Sequence, residues 1–297
     1  MNVTVIGLGL IGGSIAKDLR KNGFATAITG VDANSEHAGK AKEIGLVDQV
    51  LPLEEALSAA DLVIIAIPVD KIKLLLPQVL DLISDRTTVT DMGSTKKSLT
   101  AVVENHPKRR NYVAAHPMSG TENSGPEAAL EGLFSNKIAI ICDHEKSGPQ
   151  HLALIEKMFQ SMEMNIAYMS SDEQDHSTAF ISHLPHAAAY ALANAVQDKE
   201  DRSIILDLAS GGFRSTVRLA KSTPSMWGPI FQQNKEYVVD SLEVYIKHLI
   251  DFKESIEHDE KRMYELMNNA NNIRSILGGE NPSLIKNEEK IVKFYTK

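Results

Sequence analysis

The sequence is short of cysteine and of long apolar stretches. Its single cysteine, Cys142, excludes a disulfide framework and a cysteine-rich metal site. Because Cys142 ends the apolar run Ile138–Cys142, we expect a buried thiol. No stretch reaches the ~18 consecutive apolar residues of a membrane span, and the N-terminus lacks the basic and hydrophobic blocks of a secretory signal. These absences predict a cytoplasmic protein with no membrane partner.

Positive charge is also in short supply. Lysine and arginine total 31 against 39 aspartates and glutamates, which gives a net charge of −8. This balance argues against a nucleic-acid partner, and mildly against an anionic substrate unless basic side chains gather locally. Hydrophobic residues make up 43% of the 297 residues, which excludes a disordered chain. At about 150 residues per domain, the length suggests two domains.

Residues 1–170 alternate short apolar runs with amphipathic segments. Seven runs have the length and flanking residues of buried strands: Val3–Ile6, Ala27–Val31, Leu62–Ile67, Thr87–Thr90, Tyr112–Ala115, Ile138–Cys142 and Asn165–Met169. Four helix-like segments lie between them: Ser14–Lys21, Ser35–Ile44, Lys71–Ile83 and Leu152–Met162. This alternation predicts an α/β domain whose largely parallel sheet has helices on both faces.

Residues 171–277 show helical periodicity and no convincing strand, so we expect an all-α second domain. The 48 residues between Pro229 and Gly278 contain no glycine or proline, and apolar residues recur every three or four positions. This pattern predicts one long helix with an apolar seam, about 70 Å long if unbroken. Such a seam needs a partner subunit, which favours a homodimer. The alternative is a bent helix, or two helices folded back within one chain.

The last segment, residues 278–297, begins with Gly-Gly and contains Asn281-Pro282, both of which interrupt helices. A tail, a docking helix and the start of a linker all remain open for it.

A glycine motif opens the sequence at the end of the first strand. Gly7, Gly9 and Gly12 form G-x-G-x-x-G, which suits a tight turn, close approach of a pyrophosphate and close helix packing. Asp32, twenty residues after Gly12, can accept both adenosine ribose hydroxyls and would repel a 2′-phosphate, so NAD is favoured over NADP. The alternatives are an ordinary strand–turn–helix, and a helix-capping role for Asp32. The expected cofactor contacts are Gly7, Gly9, Leu10, Ile11, Gly12, Asp32, Ile67, Pro68 and Ser94.

Polar residues follow two later strands at the edge where a parallel sheet binds its ligands. His116 is a candidate general base, since its unperturbed pKa of about 6.5 suits proton removal at neutral pH. A histidine that only orders its loop is the alternative. Ser94 lies at the same edge, where it could contact a ligand, cap the next helix, or do both.

Further polar clusters lie in the helical half. His176, His183 and His186 share a helix face, but no metal-ligand motif accompanies them, so hydrogen bonding to a polar ligand is favoured and no metal is expected. Core or helix-end histidines are the alternative. Arg218 follows Gly211-Gly212 and can bind a carboxylate through two hydrogen bonds. Surface salt bridges are the alternative role for the arginines.

Six motifs together resemble the prephenate dehydrogenase family over residues 1–277. They are G-L-G-L-I-G-G-S at 7–14, D-M-G-S-T-K at 91–96, H-P-M-S-G-T-E at 116–122, S-H-L-P-H at 182–186, G-G-F-R-S-T-V-R-L-A at 211–220 and P-S-M-W at 224–227. The resemblance implies NAD-dependent oxidative decarboxylation of prephenate to 4-hydroxyphenylpyruvate, in tyrosine biosynthesis. It also implies a Rossmann-type first domain and a helical, dimeric second domain.

The resemblance assigns roles to residues of these motifs. His116 and Ser94 would be catalytic, and Arg218 would bind a substrate carboxylate. The other implied substrate contacts are His186, Ser182, His183, Glu122, Thr121 and Trp227. Some family members carry a C-terminal amino-acid-sensing domain, and we expect none here because only twenty residues follow Leu277.

Other functions stay open beside this one. The substrate could be arogenate, or the enzyme could accept both as a cyclohexadienyl dehydrogenase. A β-hydroxyacid dehydrogenase is disfavoured because Lys221 lies outside the glycine-rich motif that holds the catalytic lysine of those enzymes. A catalytically silent NAD-binding sensor would require structural histidines.

Overall fold

The computed structural model describes residues 1–277, and the expectations for residues 278–297 lie outside the described part. Within residues 1–277, eight strands form one sheet in the order β3-β2-β1-β4-β5-β6-β7-β8. The strands are β1 Asn2–Ile6, β2 Ala27–Val31, β3 Gln49–Val50, β4 Leu62–Ile65, β5 Thr88–Asp91, β6 Tyr112–Pro117, β7 Ile138–Cys142 and β8 Asn165–Met169.

The prediction of a largely parallel sheet is confirmed. Six of the seven neighbouring pairs are parallel, and only β6 and β7 run antiparallel. All seven predicted runs coincide with strands. Sequence reading missed β3, because two residues are too short to show a period.

Helices cover the sheet and continue beyond it. They are α1 Leu10–Lys21, α2 Ser35–Glu43, α3 Leu53–Ser58, α4 Val69–Leu82, α5 Lys97–Ala101, α6 Pro149–Ser161, α7 Ser171–Thr178, α8 Leu184–Gln197, α9 Arg202–Asp207, α10 Gly211–Thr216, α11 Pro224–Gln233, α12 Lys235–His258, α13 Glu260–Asn271 and α14 Ile273–Leu277. The short helices α3 and α5 were not predicted, since five or six residues carry little periodicity.

Each face of the sheet has its own hydrophobic core. On β6, Val113 and Ala115 belong to one core cluster, while Tyr112 and Ala114 belong to the other. This is the alternation that a strand imposes on its side chains. His116, two residues beyond Ala114, therefore shares the face of Tyr112, and it ends up where β6 reaches the ligand-binding edge.

Contacts divide the chain into two compact units, Met1–Asn234 and the part from Lys235 onward. The first unit contains both the sheet and α7 to α11, so the boundary predicted at 170/171 falls inside it. Within residues 1–277, no helix is long and apolar enough to cross a membrane.

The second unit corrects the prediction of one long helix. The chain leaves helical geometry at Asp259, with φ −146° and ψ 83°. Arg262 Nη2 then lies 2.9 Å from Asp251 Oδ2, although eleven residues would span about 16 Å in a continuous helix. The chain therefore turns back on itself, as in the folded-back alternative. The physical reason is the cap, because the Asp259 carboxylate accepts the Arg262 N–H and begins α13.

Candidate active site

The glycine loop between β1 and α1 is shaped to receive a phosphate group. Gly7 has φ +95°, and a Cβ there would collide with the Ala66 carbonyl and the Ile67 side chain. A Cβ on Gly12 would collide with the Gly7 carbonyl, whereas Gly9 faces open space. Tight packing thus fixes the turn at Gly7 and Gly12, while Gly9 leaves room for a ligand to approach the backbone.

Asp32 connects this loop to the end of β2. Its Oδ2 accepts the Leu8 N–H at 2.8 Å and its Oδ1 accepts the Asn34 N–H at 2.8 Å. The capping alternative for Asp32 is wrong, because Asn34 caps α2. No side chain caps α1, and its first turn holds no acidic residue. Its N–H groups are therefore open to an anion, and the residues present fit NAD.

His116 is buried at the end of β6, and its Nδ1 has no hydrogen-bond partner among the described residues. Burial first, and then the charges of Lys96 and His183, lower the pKa of His116 to about 3. The expectation of a pKa near 6.5 is thus wrong, because sequence reading assumed solvation. The imidazole is neutral at pH 7, which is the state a general base requires.

A cluster of aromatic rings lies beside this histidine. His186 stacks on Trp227 with ring centroids 3.4 Å apart, and His183 meets the same indole edge-on at 5.9 Å. Trp227 packs with Val69, the first residue of α4. The cluster therefore adjoins the β4–α4 turn that carries Ile67 and Pro68.

Hydrogen bonds fix the tautomers of the two histidines in this cluster. The Asn234 amide donates to the Asp175 carbonyl and lies 3.1 Å from His183 Nδ1, so His183 carries its proton on Nε2. His186 Nδ1 donates to the Ser182 carbonyl at 2.9 Å. The His183 Nε2–H and the Trp227 Nε1–H are both buried without a partner among the described residues. Two ring N–H groups are thus available to an acceptor on a ligand.

Arg218 lies at the exposed side of these rings. Its Nη1 is 3.4 Å from Glu122 Oε2, and both side chains are partly exposed. Burial lowers the pKa of His186, and the Arg218 charge contributes to this shift. Arg214 points elsewhere and donates to the Ala209 carbonyl. Arg218 therefore does form a salt bridge, as the alternative role for the arginines supposed. Its partner, Glu122, is itself a predicted site residue.

The remaining predicted site residues have fewer side-chain contacts with the rest of the site. Ser94 does not cap α5, which has no side-chain cap, and its carbonyl accepts the Gln174 amide at 3.1 Å. Thr121 Oγ1 accepts only a local N–H, from Asn123. Ser182 is half-buried and contributes its carbonyl, while His176 is exposed and packs on Phe180.

Sequence reading missed a buried polar cluster under the site. The Lys96 ammonium pairs with Asp91, whose carboxylate also accepts the Tyr112 hydroxyl at 2.6 Å. Asp175 accepts the N–H groups of Lys96 and Lys97, and burial raises the pKa of Asp175 to about 6. The signal in the sequence that could have predicted this ion pair is Lys96, five residues after Asp91 at the end of β5.

Two models of one protein family match most of this chain. The model of the prephenate dehydrogenase nucleotide-binding domain matches residues 15–168, and that of the prephenate dehydrogenase dimerization domain matches residues 170–269. The chain belongs to the prephenate dehydrogenase family. The resemblance inferred from the six motifs is therefore confirmed.

Relatives of known activity and structure agree with this membership. Prephenate dehydrogenase of Bacillus subtilis (strain 168) is 32% identical over 262 residues, which are 87% of this chain and 71% of that protein. Cyclohexadienyl dehydrogenase of Zymomonas mobilis is 29% identical, over 86% of this chain and 88% of that one. The A. aeolicus prephenate dehydrogenase, crystallised with hydroxyphenyl propionate and NAD+, superposes with a TM-score of 0.86 at 32% identity, over 93% and 98% of the two chains. As a member of the prephenate dehydrogenase family, the chain is an NAD-dependent oxidoreductase.

Proposed function

We propose that this chain oxidises and decarboxylates prephenate to 4-hydroxyphenylpyruvate in tyrosine biosynthesis. The observation that carries the proposal is His116, a buried, neutral imidazole with an unpartnered nitrogen, at the carboxyl-end edge of the sheet where the nucleotide loop also lies. A hydroxyl group oriented against this ring would find a base that water does not reach.

NAD, when bound, supplies the acceptor for the hydride. We assign its pyrophosphate to Gly7, Gly9 and Gly12 with the start of α1, where Leu10 and Ile11 form the first turn. Asp32 has oxygen lone pairs left for the ribose hydroxyls. Ile67 and Pro68 would flank the nicotinamide half, since they follow β4 beside the glycine loop.

His116 accepts the proton of the carbinol hydroxyl as the hydride leaves the same carbon. Ser94 would hydrogen-bond that hydroxyl or hold the imidazole. Loss of the ring carboxylate as carbon dioxide sends the electron pair of the broken C–C bond through the ring to the new carbonyl oxygen, which takes back a proton from the His116 imidazolium. The ring becomes aromatic, which drives the step forward. The two carboxylates of prephenate would raise the pKa of His116 from its low value, because nearby negative charge favours the imidazolium.

The helical segments would bind the acidic groups of the substrate. Arg218 would bind one carboxylate and exchange its contact with Glu122 for it. We assign the pyruvyl side chain or the cofactor edge to Ser182, His183 and His186. Glu122 and Trp227 would shape the pocket, and Thr121 would be a further substrate contact. The Arg218 charge, together with the neutral N–H donors of His183 and Trp227, answers the objection that a chain of net charge −8 raises against a dianion.

We also propose the domain division 1–170 for NAD binding and 171–277 for substrate binding and dimerisation, with 278–297 as a tail. The family's dimerization domain supports a homodimer through the helical part. A cytoplasmic location and the absence of a nucleic-acid partner stay predictions.

The test of this function is NAD reduction with prephenate, in the wild type and in His116→Asn. We expect turnover to fall ~10²–10⁴-fold in the variant, because the base is lost, while NAD affinity measured by calorimetry persists. Unchanged turnover in the variant would show that His116 is not the base. A wild type that reduces NAD with neither prephenate nor arogenate would refute the function and leave the silent sensor.

A broad cyclohexadienyl dehydrogenase is the second candidate, favoured by the similarity to the Zymomonas mobilis enzyme. Comparable kcat/KM with prephenate and arogenate in the same assay would select it.

A further inference from the structure

The proposed function leaves a buried ion pair without a role. The side chains of Asp91 and Lys96 are fully buried and in contact with each other. Asp91 also accepts the Tyr112 hydroxyl and the Gly93 N–H. A buried ion pair seldom stabilises a fold more than apolar residues of the same shape would. Stability is therefore a weak reason for this pair, and its place in the fold is more informative.

Strand register puts the pair on the same face as the proposed base. Asp91 is paired with Ala114 of β6, and Ala114 lies between Tyr112 and His116 on one face of that strand. The bond from the Tyr112 hydroxyl to Asp91 follows from this arrangement. The Lys96 charge also reaches His116, as the lowered pKa of His116 records.

The pair closes the loop that carries Ser94. Asp91 ends β5 and Lys96 immediately precedes α5, so the contact joins the two ends of the loop Met92–Thr95. Inside the loop, the Gly93 N–H is bound to Asp91 at 2.9 Å. A Cβ on Gly93 would lie 3.0 Å from that carboxylate and 3.1 Å from side chains of α4. The loop is therefore held in one conformation.

Two glutamines hold the same loop from the helical side. The Gln174 amide donates to the Ser94 carbonyl at 3.1 Å, and Thr95 Oγ1 donates to Gln233 Oε1 at 2.8 Å. The ion pair therefore anchors the loop on the sheet, while the glutamines anchor it on α7 and α11. Ser94 lies between these anchors.

We propose that Lys96, through its ion pair with Asp91, is a positioning residue that holds the Ser94 hydroxyl in its working place at the reacting centre. The inference rests on the proposed function, in which Ser94 contacts the reacting hydroxyl or His116. A misplacement of about 1 Å at such a group can cost ~100-fold in rate. If Lys96 acts through Ser94, loss of the ion pair matters only while the serine hydroxyl is present.

A double-mutant cycle on kcat with prephenate tests this dependence. Its corners are the wild type, Ser94→Ala, the charge-balanced variant Asp91→Asn/Lys96→Met, and the combination of all three changes. Both charges are removed together because Lys96→Met alone would leave a buried, unpaired carboxylate and endanger folding. Circular dichroism and the melting temperature show that each variant is folded.

We expect the charge-balanced variant to lose ~10-fold or more in kcat while the KM for NAD changes less than about twofold. In the Ser94→Ala background, the same change should cost less than about twofold, because its target is already gone. The matched control is Lys97→Met/Asp172→Asn, which removes the neighbouring, half-exposed ion pair of 2.8 Å and should leave kcat unchanged.

Two results would overturn the inference while the proposed function stands. The charge-balanced variant could retain wild-type kcat, or it could lose the same factor in both backgrounds. If Ser94→Ala leaves kcat unchanged in an active wild type, both the assignment of Ser94 and the inference are wrong. A wild type inactive on prephenate and arogenate refutes the proposed function itself, and the inference with it.

Discussion

His183 shows how far burial changes a residue that the sequence presents as an ordinary histidine. Its side chain is fully buried, and Asn234 fixes its tautomer. Burial first, and then His186, lower the pKa of His183 to about 4. The motif S-H-L-P-H could place this histidine near a ligand. It could not reveal the shift, because the groups that bury and orient the ring lie some 45 to 50 residues further along the chain.

This shift predicts how stability depends on pH. The folded pKa lies below the ordinary value of 6.5, so between about pH 6.5 and 4 the unfolded state binds a proton that the folded state does not. Acidification from pH 7 to 5 should therefore cost the folded state about 2 kcal/mol through His183. Asp175, with its pKa raised to about 6, acts in the opposite direction over part of this range.

The variant His183→Gln separates the two contributions, since it retains Asp175. We expect urea unfolding at fixed protein concentration to show that the wild type loses about 2 kcal/mol more than the variant between pH 7 and 5. Equal losses in the two proteins would mean that His183 is not buried as described.

The long helix predicted after Pro229 is the element that the sequence placed wrongly, because it contains a helix end that the apolar pattern did not show. Apolar spacing through residues 238–277 is compatible with one helix or with two, because the seam continues across the break. The decisive signal is Asp259, whose carboxylate accepts the Arg262 N–H at 2.9 Å. An aspartate just before a helix start is a recognised N-cap signal. Because no glycine or proline lies nearby, the apolar pattern nevertheless favoured one unbroken helix.

The cap at Asp259 predicts a difference between two substitutions. Asp259→Ala removes the acceptor and should lower the free energy of unfolding by about 1 kcal/mol, while Asp259→Asn keeps an acceptor and should cost much less. Chemical denaturation of the two variants measures both values. Equal effects would show that the side chain does not cap α13.

At the scale of the whole molecule, the helical part leaves many large apolar side chains exposed, and large exposed apolar patches mark interaction sites in soluble proteins. The exposed apolar side chains of α12 include Tyr245, Ile246, Leu249, Ile250, Phe252 and Ile256. Such a surface is characteristic of a subunit interface, and the family's dimerization domain covers this helix.

This surface predicts that a charge at its centre separates the subunits. Leu249→Glu should convert a dimer into a monomer in sedimentation equilibrium, because a carboxylate would be buried without a partner. Leu74→Glu is the matched control, as Leu74 is an equally apolar and 66% exposed residue on α4. A dimer that persists in Leu249→Glu, or a monomeric wild type, would contradict the proposed interface.

The sequence by itself determined the features that depend on local pattern. Apolar runs predicted seven of the eight strands, the glycine spacing predicted the nucleotide loop, and the six motifs predicted the family. Only the tertiary structure decided the pKa of His116, the pairing of Lys96 with Asp91 and the turn at Asp259. Periodicity and motif spacing record which face of an element is buried. Desolvation and ion pairing instead depend on which distant segments meet, and no local pattern records that.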